Sequence, residues 1–252
     1  MTNTKNKKNV LITGGSKGLG RALAFTLGKQ GHSLALVARN RPELEQTITD
    51  LRECGIEAHA IVADMGSPRD ALQIAAIAHE SLGHIDVLIH NASTLGPLPM
   101  PALADLGTED FLDVLQVNLL GPHRLTKAVG GNMLLRGAGT IIHISSDAAT
   151  EPYACWGAYS AAKAALDHMS RVWAKETEGS GLRFLSIDPG EMDTQMHADA
   201  LPDSDPTSLA SPHKVAAQIA HILAESAFAS GSRIQRGSEA ALVAHGPVSP
   251  PP

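Results

Sequence analysis

The chain has 252 residues, 43% of them hydrophobic and 18% charged, which suits a globular chain with a sizeable core and excludes a disordered one. The formal net charge is -6 and aromatics make up 3%, so the chain lacks the basic footprint and the stacking platforms of a nucleic-acid binder, and Lys5, Lys7 and Lys8 read as part of a polar tail over 1–8. No apolar run reaches the roughly 18 residues of a membrane span, no apolar stretch precedes Val10, and Cys54 and Cys155 make neither a disulfide framework nor a zinc knuckle; the expectation is a cytoplasmic protein without a signal peptide.

Short apolar runs alternate with longer amphipathic segments. Val10-Leu11-Ile12 is a strand and Arg21 to Lys29 the helix after it. Ser33 to Ala38 and Ala58 to Val62 are the next strands, with a helix from about Pro42 to Cys54 between them, its proline in the first turn. A helix over Asp70 to Ser81 and a strand over Asp86 to His90 follow. Pro97, Pro99 and Pro101 mark a loop, because proline has no place in a central strand. Glu109 to about Met133 reads as one long helical stretch, Thr140 to Ile144 as a strand, Tyr153 to about Lys175 as a second long helix and Arg183 to Ile187 as a sixth strand. Residues 196–212 read as a loop insertion, Pro212 to Ala224 as a last helix and Gly231 to Arg236 as a short edge strand. Continuous apolar strands between helices imply a parallel sheet covered on both faces, and the doubly wound α/β fold is the leading topology. One domain over 9–236 is expected, followed by a Pro-rich, disordered tail over 237–252.

After the first strand comes Thr13-Gly14-Gly15-Ser16-Lys17-Gly18-Leu19-Gly20, then a helix. Glycines let the backbone turn tightly against a pyrophosphate, and the helix start offers unpaired N–H groups and a positive dipole end. Arg39 ends the second strand, 19 residues beyond Gly20. An acidic residue there would bind the ribose 2′-hydroxyl of NAD; an arginine, with Lys17 beside it, favours the 2′-phosphate of NADP. Asp64 ends the third strand and either accepts from an adenine amino group or caps the next turn.

Ser145-Ser146 follow the fifth strand, and 13 residues after Ser146 stands Tyr159, with Lys163 four positions later on the same helix face. An ammonium nearby stabilises phenolate and lowers the tyrosine pKa from about 10. Such a tyrosine gives a proton to a carbonyl oxygen as hydride arrives, or takes one in reverse, while a serine hydroxyl holds the oxygen.

With these residues the sequence resembles the short-chain dehydrogenases/reductases over roughly 9–236. The likeness rests on Thr13-Gly14 with Gly18 and Gly20, Asp64, Asn91-Ala92, Val117-Asn118-Leu119, Ser146, Tyr159 with Lys163, and Pro189-Gly190 with Thr194. It implies a Rossmann-type sheet of about seven strands and hydride transfer between a nicotinamide cofactor and an alcohol/carbonyl pair. It implies Asn118, Ser146, Tyr159 and Lys163 as the catalytic set, Asn118 breaking its helix locally and holding a water in a relay to Lys163. To the cofactor it assigns Gly14, Ser16, Lys17, Gly18, Leu19, Gly20, Arg39, Asp64, Met65, Asn91, Ala92, Tyr159, Lys163, Pro189, Gly190 and Thr194. The 187–201 stretch is somewhat similar to the sepiapterin reductase and bacterial carbonyl reductase branch. One residue departs from the family's Asn-Asn-Ala-Gly: the chain has His90-Asn91-Ala92-Ser93, and Ser93 is expected to tighten or reposition the backbone near the cofactor.

The expected function is therefore NADP(H)-dependent reduction of a small-molecule ketone or other carbonyl. The alternative is a non-catalytic dinucleotide-binding sensor or scaffold of the same fold. No metal site is expected: His79, Glu80 and His84 have the wrong spacing for a zinc helix. Cys155 and Trp156 either touch substrate or pack, and specificity is placed on 95–102, 151–156 and 191–209. The two long helices are expected to pair across a two-fold axis in a homodimer or homotetramer.

Overall fold

Seven strands form one sheet: β1 (Asn9–Thr13), β2 (Ser33–Ala38), β3 (Ala58–Val62), β4 (Val87–His90), β5 (Gly139–Ile144), β6 (Leu182–Asp188) and β7 (Ser232–Gln235). All neighbours are parallel, in the order β3-β2-β1-β4-β5-β6-β7. The computed structural model describes residues 7–225 and 228–236. The tail expected over 237–252 lies outside them.

Parallel strands need crossovers, and each is a helix. On one face α1 (Gly18–Lys29), α2 (Arg41–Glu53) and α8 (Pro212–Ala224) bury Ile12, Leu36, Ile89 and Ile142. On the other, α3 (Asp70–Leu82), α5 (Gly121–Arg136) and α6 (Gly157–Glu176) bury Leu11, Leu88, Ile141 and Phe184. Each such side chain contributes roughly 1.5–3 kcal/mol on leaving water. Local signals set the helix ends: Asn40 accepts from the Glu43 N–H at 3.3 Å to start α2, and Gly137, at φ 66°, ends α5 in the left-handed region. β1 lies between β2 and β4, so the winding reverses there and opens a crevice at the carboxyl ends of the strands.

Four local expectations change. Lys7 and Lys8 are fastened, Lys7 to the Glu57 carboxylate and the Lys8 N–H to His32 Nδ1, so the polar tail expected over 1–8 does not reach β1 free. The stretch after Glu109 is not one helix: α4 (Thr108–Leu115) passes through a π-turn at Gln116–Leu120 before α5. A side chain at Gly121, just after that turn, would collide with the Met65 carbonyl. The second long helix starts at Gly157, because Tyr153–Trp156 form a turn with Cys155 at φ 69°. The 196–212 insertion is partly helical: Thr194 accepts from the His197 N–H to start α7 (Gln195–Ala200), and Asp205 caps a 3₁₀ turn over Pro206–Ser208.

Candidate active site

The crevice holds a cleft of about 640 Å³. At one end the β1–α1 loop turns through Gly14 (φ 67°) and Gly18 (φ 53°), conformations that glycine adopts without strain. A Cβ on Gly14 would stand 2.8 Å from Asn91 Nδ2, and one on Gly20 would drive into the Gly14 carbonyl. Lys17 caps α1 without a side-chain hydrogen bond, so no side chain claims the first-turn N–H groups that face the cleft. Thr13 Oγ1 accepts from the Asn91 and Ala92 N–H groups at 3.0 and 3.1 Å, and Asn91 Nδ2 returns to the carbonyls of Thr13 and Gly14. These bonds lock the loops after β1 and β4 together.

Arg39, 67% exposed, lies 3.9 Å from the Asp64 carboxylate, and the exposed Lys17 lines the same cleft. Asp64 also accepts from the Gly66 N–H at 2.8 Å, so it caps its turn as well as facing Arg39. Glu43, which no sequence signal singled out, lines the same end. Across the cleft Gly190 (φ 66°) follows Pro189, and the Thr194 methyl faces Gly18.

At the other end Tyr159 and Lys163 rise from α6 with 7% and 3% of their surface exposed. Lys163 Nζ donates to the Ile144 carbonyl at 2.7 Å and lies 5.5 Å from the centre of the Tyr159 ring. Ser146 Oγ donates to Asp147 Oδ1 at 2.9 Å, while Tyr153 donates from outside to Asp147 Oδ2 at 2.9 Å. Leu95, Trp156, Met196 and Ala200 form an apolar wall around Tyr159.

Burial pushes the Tyr159 phenol up to about 12, against the hydroxyls of Ser146 and Ser93, which favour the phenolate. That is the reverse of the lowering expected from the spacing to Lys163, because desolvation outweighs everything else in a ring so enclosed. Burial pulls Lys163 down to about 8, with Asp167 and Asp188 acting the other way.

Of the candidate residues, Gly20 and Asn118 do not line the cleft. Gly20 is there for close packing against the Gly14 backbone. Asn118, in the π-turn and 1% exposed, accepts from Ser93 Oγ and the Thr94 N–H and donates to the Thr94 carbonyl, all within 3.1 Å. The others share the one cleft. Trp156 lines it, whereas Cys155 is exposed and does not. Ser93 answers its departure from the family pattern with a hydroxyl that donates to Asn118 and favours the Tyr159 phenolate. Asp147 and Arg233 had no local signal: the first matters through its contacts with Ser146 and Tyr153, the second through a strand pairing far along the chain. Among the described residues no three His, Cys, Asp or Glu side chains could hold a metal together, and no helix is long and apolar enough to cross a membrane.

A family model described as short chain dehydrogenase matches residues 8–205. A Streptomyces coelicolor protein named "Putative ketoacyl reductase" is 34% identical over 197 residues, 77% of this chain and 74% of that one. An actinorhodin polyketide ketoreductase solved with NADPH superposes with a TM-score of 0.84 at 28% identity, covering 94% of this chain and 97% of its own. An NAD+-bound xylitol dehydrogenase superposes with a TM-score of 0.81 at 25% identity, covering 92% and 98%.

Proposed function

This chain belongs to the short chain dehydrogenase family and is an oxidoreductase of that kind, and from that premise we propose that it binds NADP(H) and reduces a ketone or other carbonyl, with Tyr159 as proton donor. One observation carries the reading: a buried phenol, a serine hydroxyl and an ammonium meet at the inner end of a cleft whose outer end is a glycine cradle flanked by Lys17 and Arg39.

The cradle fits a dinucleotide. The N–H groups of α1 and the backbone close to Gly14 and Gly18 suit a pyrophosphate. Solved relatives carry either NADPH or NAD+, so the choice here rests on Arg39 and Lys17, cations suited to a 2′-phosphate. Asp64 and Glu43 temper that field without filling the position of Arg39. Met65, Asn91, Ala92, Pro189, Gly190 and Thr194 line the path toward Tyr159.

The bound cofactor supplies the hydride; the protein handles the oxygen and the proton. Ser146 turns its hydroxyl from Asp147 to the substrate oxygen and Tyr159 delivers the proton. A phenol held near 12 stays protonated at neutral pH, the form that reduction needs. Lys163 would hold the cofactor's ribose and keep a proton beside Tyr159, and Asn118 fixes the 93–94 loop against the π-turn. The substrate lies against Leu95, Tyr153, Trp156 and Met196. Leu112 and Val172 expose apolar surface on α4 and α6, and we assign that surface to a second copy of the chain.

The test is nicotinamide absorbance with NADPH or NADH and a panel of ketones, diketones, pterins and steroids. Consumption with an NADPH preference is expected. Tight NADPH binding without consumption across the panel would transfer the chain to the sensor class, and equal use of both cofactors would overturn the roles of Arg39 and Lys17.

A further inference from the structure

Arg233 stands on β7, beyond the last residue matched by the family model. Its guanidinium reaches three elements at once. Nε donates to Asp167 Oδ2 at 2.9 Å, and one terminal nitrogen donates to the Ser146 carbonyl at 2.9 Å and to Asp188 Oδ2 at 3.1 Å. Ser145 Oγ adds a bond to the same Asp167 oxygen at 2.7 Å, leaving Asp167 Oδ1 buried without a hydrogen-bond partner. Both carboxylates are buried, at 8% and 1% side-chain exposure.

Asp167 follows Lys163 by four residues and Tyr159 by eight, so α6 presents all three on one face. Lys163 lies against the Tyr159 ring of its own helix and within electrostatic reach of Asp167 one turn on, His143 on β5, His90 on β4 and Asp188 on β6, with Arg233 paired to the two carboxylates. Burial keeps His90 and His143 neutral at neutral pH. The charged set beneath the tyrosine is therefore two cations, Lys163 and Arg233, and two buried carboxylates, Asp167 and Asp188. A buried charge without a partner is costly, so the balance holds only while Arg233 is present.

We propose that Arg233 is a positioning residue for the reaction: it ties the main chain of Ser146 to the edge of the sheet and, by neutralising Asp167, one turn beyond Lys163 on the same buried helix face, and Asp188 on β6, sets the pH at which that lysine holds its proton. The role in turnover rests on the function proposed above; the electrostatic role does not. Guanidinium suits the task because its rigid planar fork holds separate nitrogens at fixed positions, Nε toward Asp167 and a terminal nitrogen toward Ser146 and Asp188, whereas an ammonium is a single point.

The test is an NMR titration of the protein carrying isotope-labelled lysine, with the Lys163 signal identified by its loss in Lys163→Arg. Arg233→Gln leaves two carboxylates facing one ammonium, so the Lys163 midpoint should rise by about one pH unit. Asp167→Asn keeps the shape and removes a negative charge, so the midpoint should fall by about one unit. Arg233→Lys should hold the midpoint near that of the parent while kcat falls several-fold at unchanged KM, because Ser146 loses its tether. Midpoints that stay put in Arg233→Gln and Asp167→Asn would reduce the network to a structural strut and overturn the proposal; unchanged kcat in Arg233→Lys would overturn the Ser146 tether. Should Arg233→Gln fail to fold, Asp167→Asn decides alone. The titration needs neither cofactor nor substrate, so its failure is separate from a failure to find turnover.

Discussion

At the glycine-loop end of the cleft the lining groups are main-chain N–H groups and two solvated cations, whereas at the Tyr159 end they are side chains so buried that each charge needs a named partner. Arg39 is 67% exposed and touches Asp64 only at 3.9 Å; Lys163 is 3% exposed and held at 2.7 Å. The exposed end can select a ligand while contributing little to folding, since solvent screens its charges. The buried end ties catalysis, stability and pH together, since moving one proton there changes all three. Substitutions at the two ends should therefore fail in different ways.

The largest effect belongs to the buried end. Tyr159→Phe keeps the ring packed against Trp156 and Leu95 and deletes the hydroxyl proposed as the proton donor. Turnover should fall by the roughly 10²–10⁴-fold typical of a lost general acid. Thermal unfolding and NADPH binding, measured on the same preparation, should change little. Retained turnover would move the acid to another group, and lost NADPH binding would make Tyr159 structural.

Next comes a stability effect away from the cleft. His90 and His143 stack on neighbouring strands, ring centres 5.0 Å apart, and neither His143 nitrogen has a hydrogen-bond partner. Burial, with Lys163 adding to it, brings His143 down to about 3 from an unfolded value near 6.5. Between those pH values the unfolded chain binds the extra proton, so stability is lost as pH falls from about 6.5 toward about 3. The full cost is roughly 5 kcal/mol, of which about 2 kcal/mol is felt by about pH 5. His143→Leu should relieve it, so that denaturant curves for parent and variant diverge in acid and converge at about pH 8. Parallel curves at every pH would show that His143 does not govern the acid limb.

The comparison also explains what could be read from the sequence. The cradle is local: glycines, a helix start and Arg39 all follow strand ends at short range, and the strands themselves are continuous apolar runs. Ser146, Tyr159 and Lys163 were legible because a strand end and one helix face hold them. Arg233 lies 66 residues from Asp167 and 87 from Ser146. Only the pairing of Arg233 with Ser186 across β6 and β7 brings it inward, and no short pattern encodes that register. Tyr159 shows the same limit in energy: spacing revealed an ammonium nearby, but the depth of burial that overrides it is a property of the packed fold. The six residues of α7 carry no apolar period in the sequence, because a Thr194 cap alone starts them.

A smaller effect is expected at the exposed end. Arg39→Asp removes the proposed 2′-phosphate partner, worth roughly 1.5–3 kcal/mol, so the NADPH-to-NADH ratio of kcat/KM should drop about ten- to a hundredfold or invert. Unfolding should move by no more than about 0.5 kcal/mol, as for most surface positions. A ratio that stays put would pass selectivity to Lys17 or to Glu43.

The smallest effect sharpens the contrast most, because it sits where the two ends meet. Ser93→Gly restores the residue usual in the family at a position just after β4, near Tyr159. Asn118 would keep its bonds to Thr94, so the π-turn should persist and stability should fall by only about 0.5–1.5 kcal/mol for the lost hydroxyl. Tyr159, however, would lose one of the two hydroxyls that favour its phenolate, and its pKa should rise further. Reduction uses the protonated phenol and should hold its rate at neutral pH. Alcohol oxidation needs the phenolate, so its rise with pH should move to higher pH, slowing that direction several-fold at a fixed pH. Measuring both directions across the alkaline range separates the two requirements. An equal loss in both would mean that Ser93 acts through the loop backbone, and no change in either would leave its hydroxyl without a part in the proton transfer.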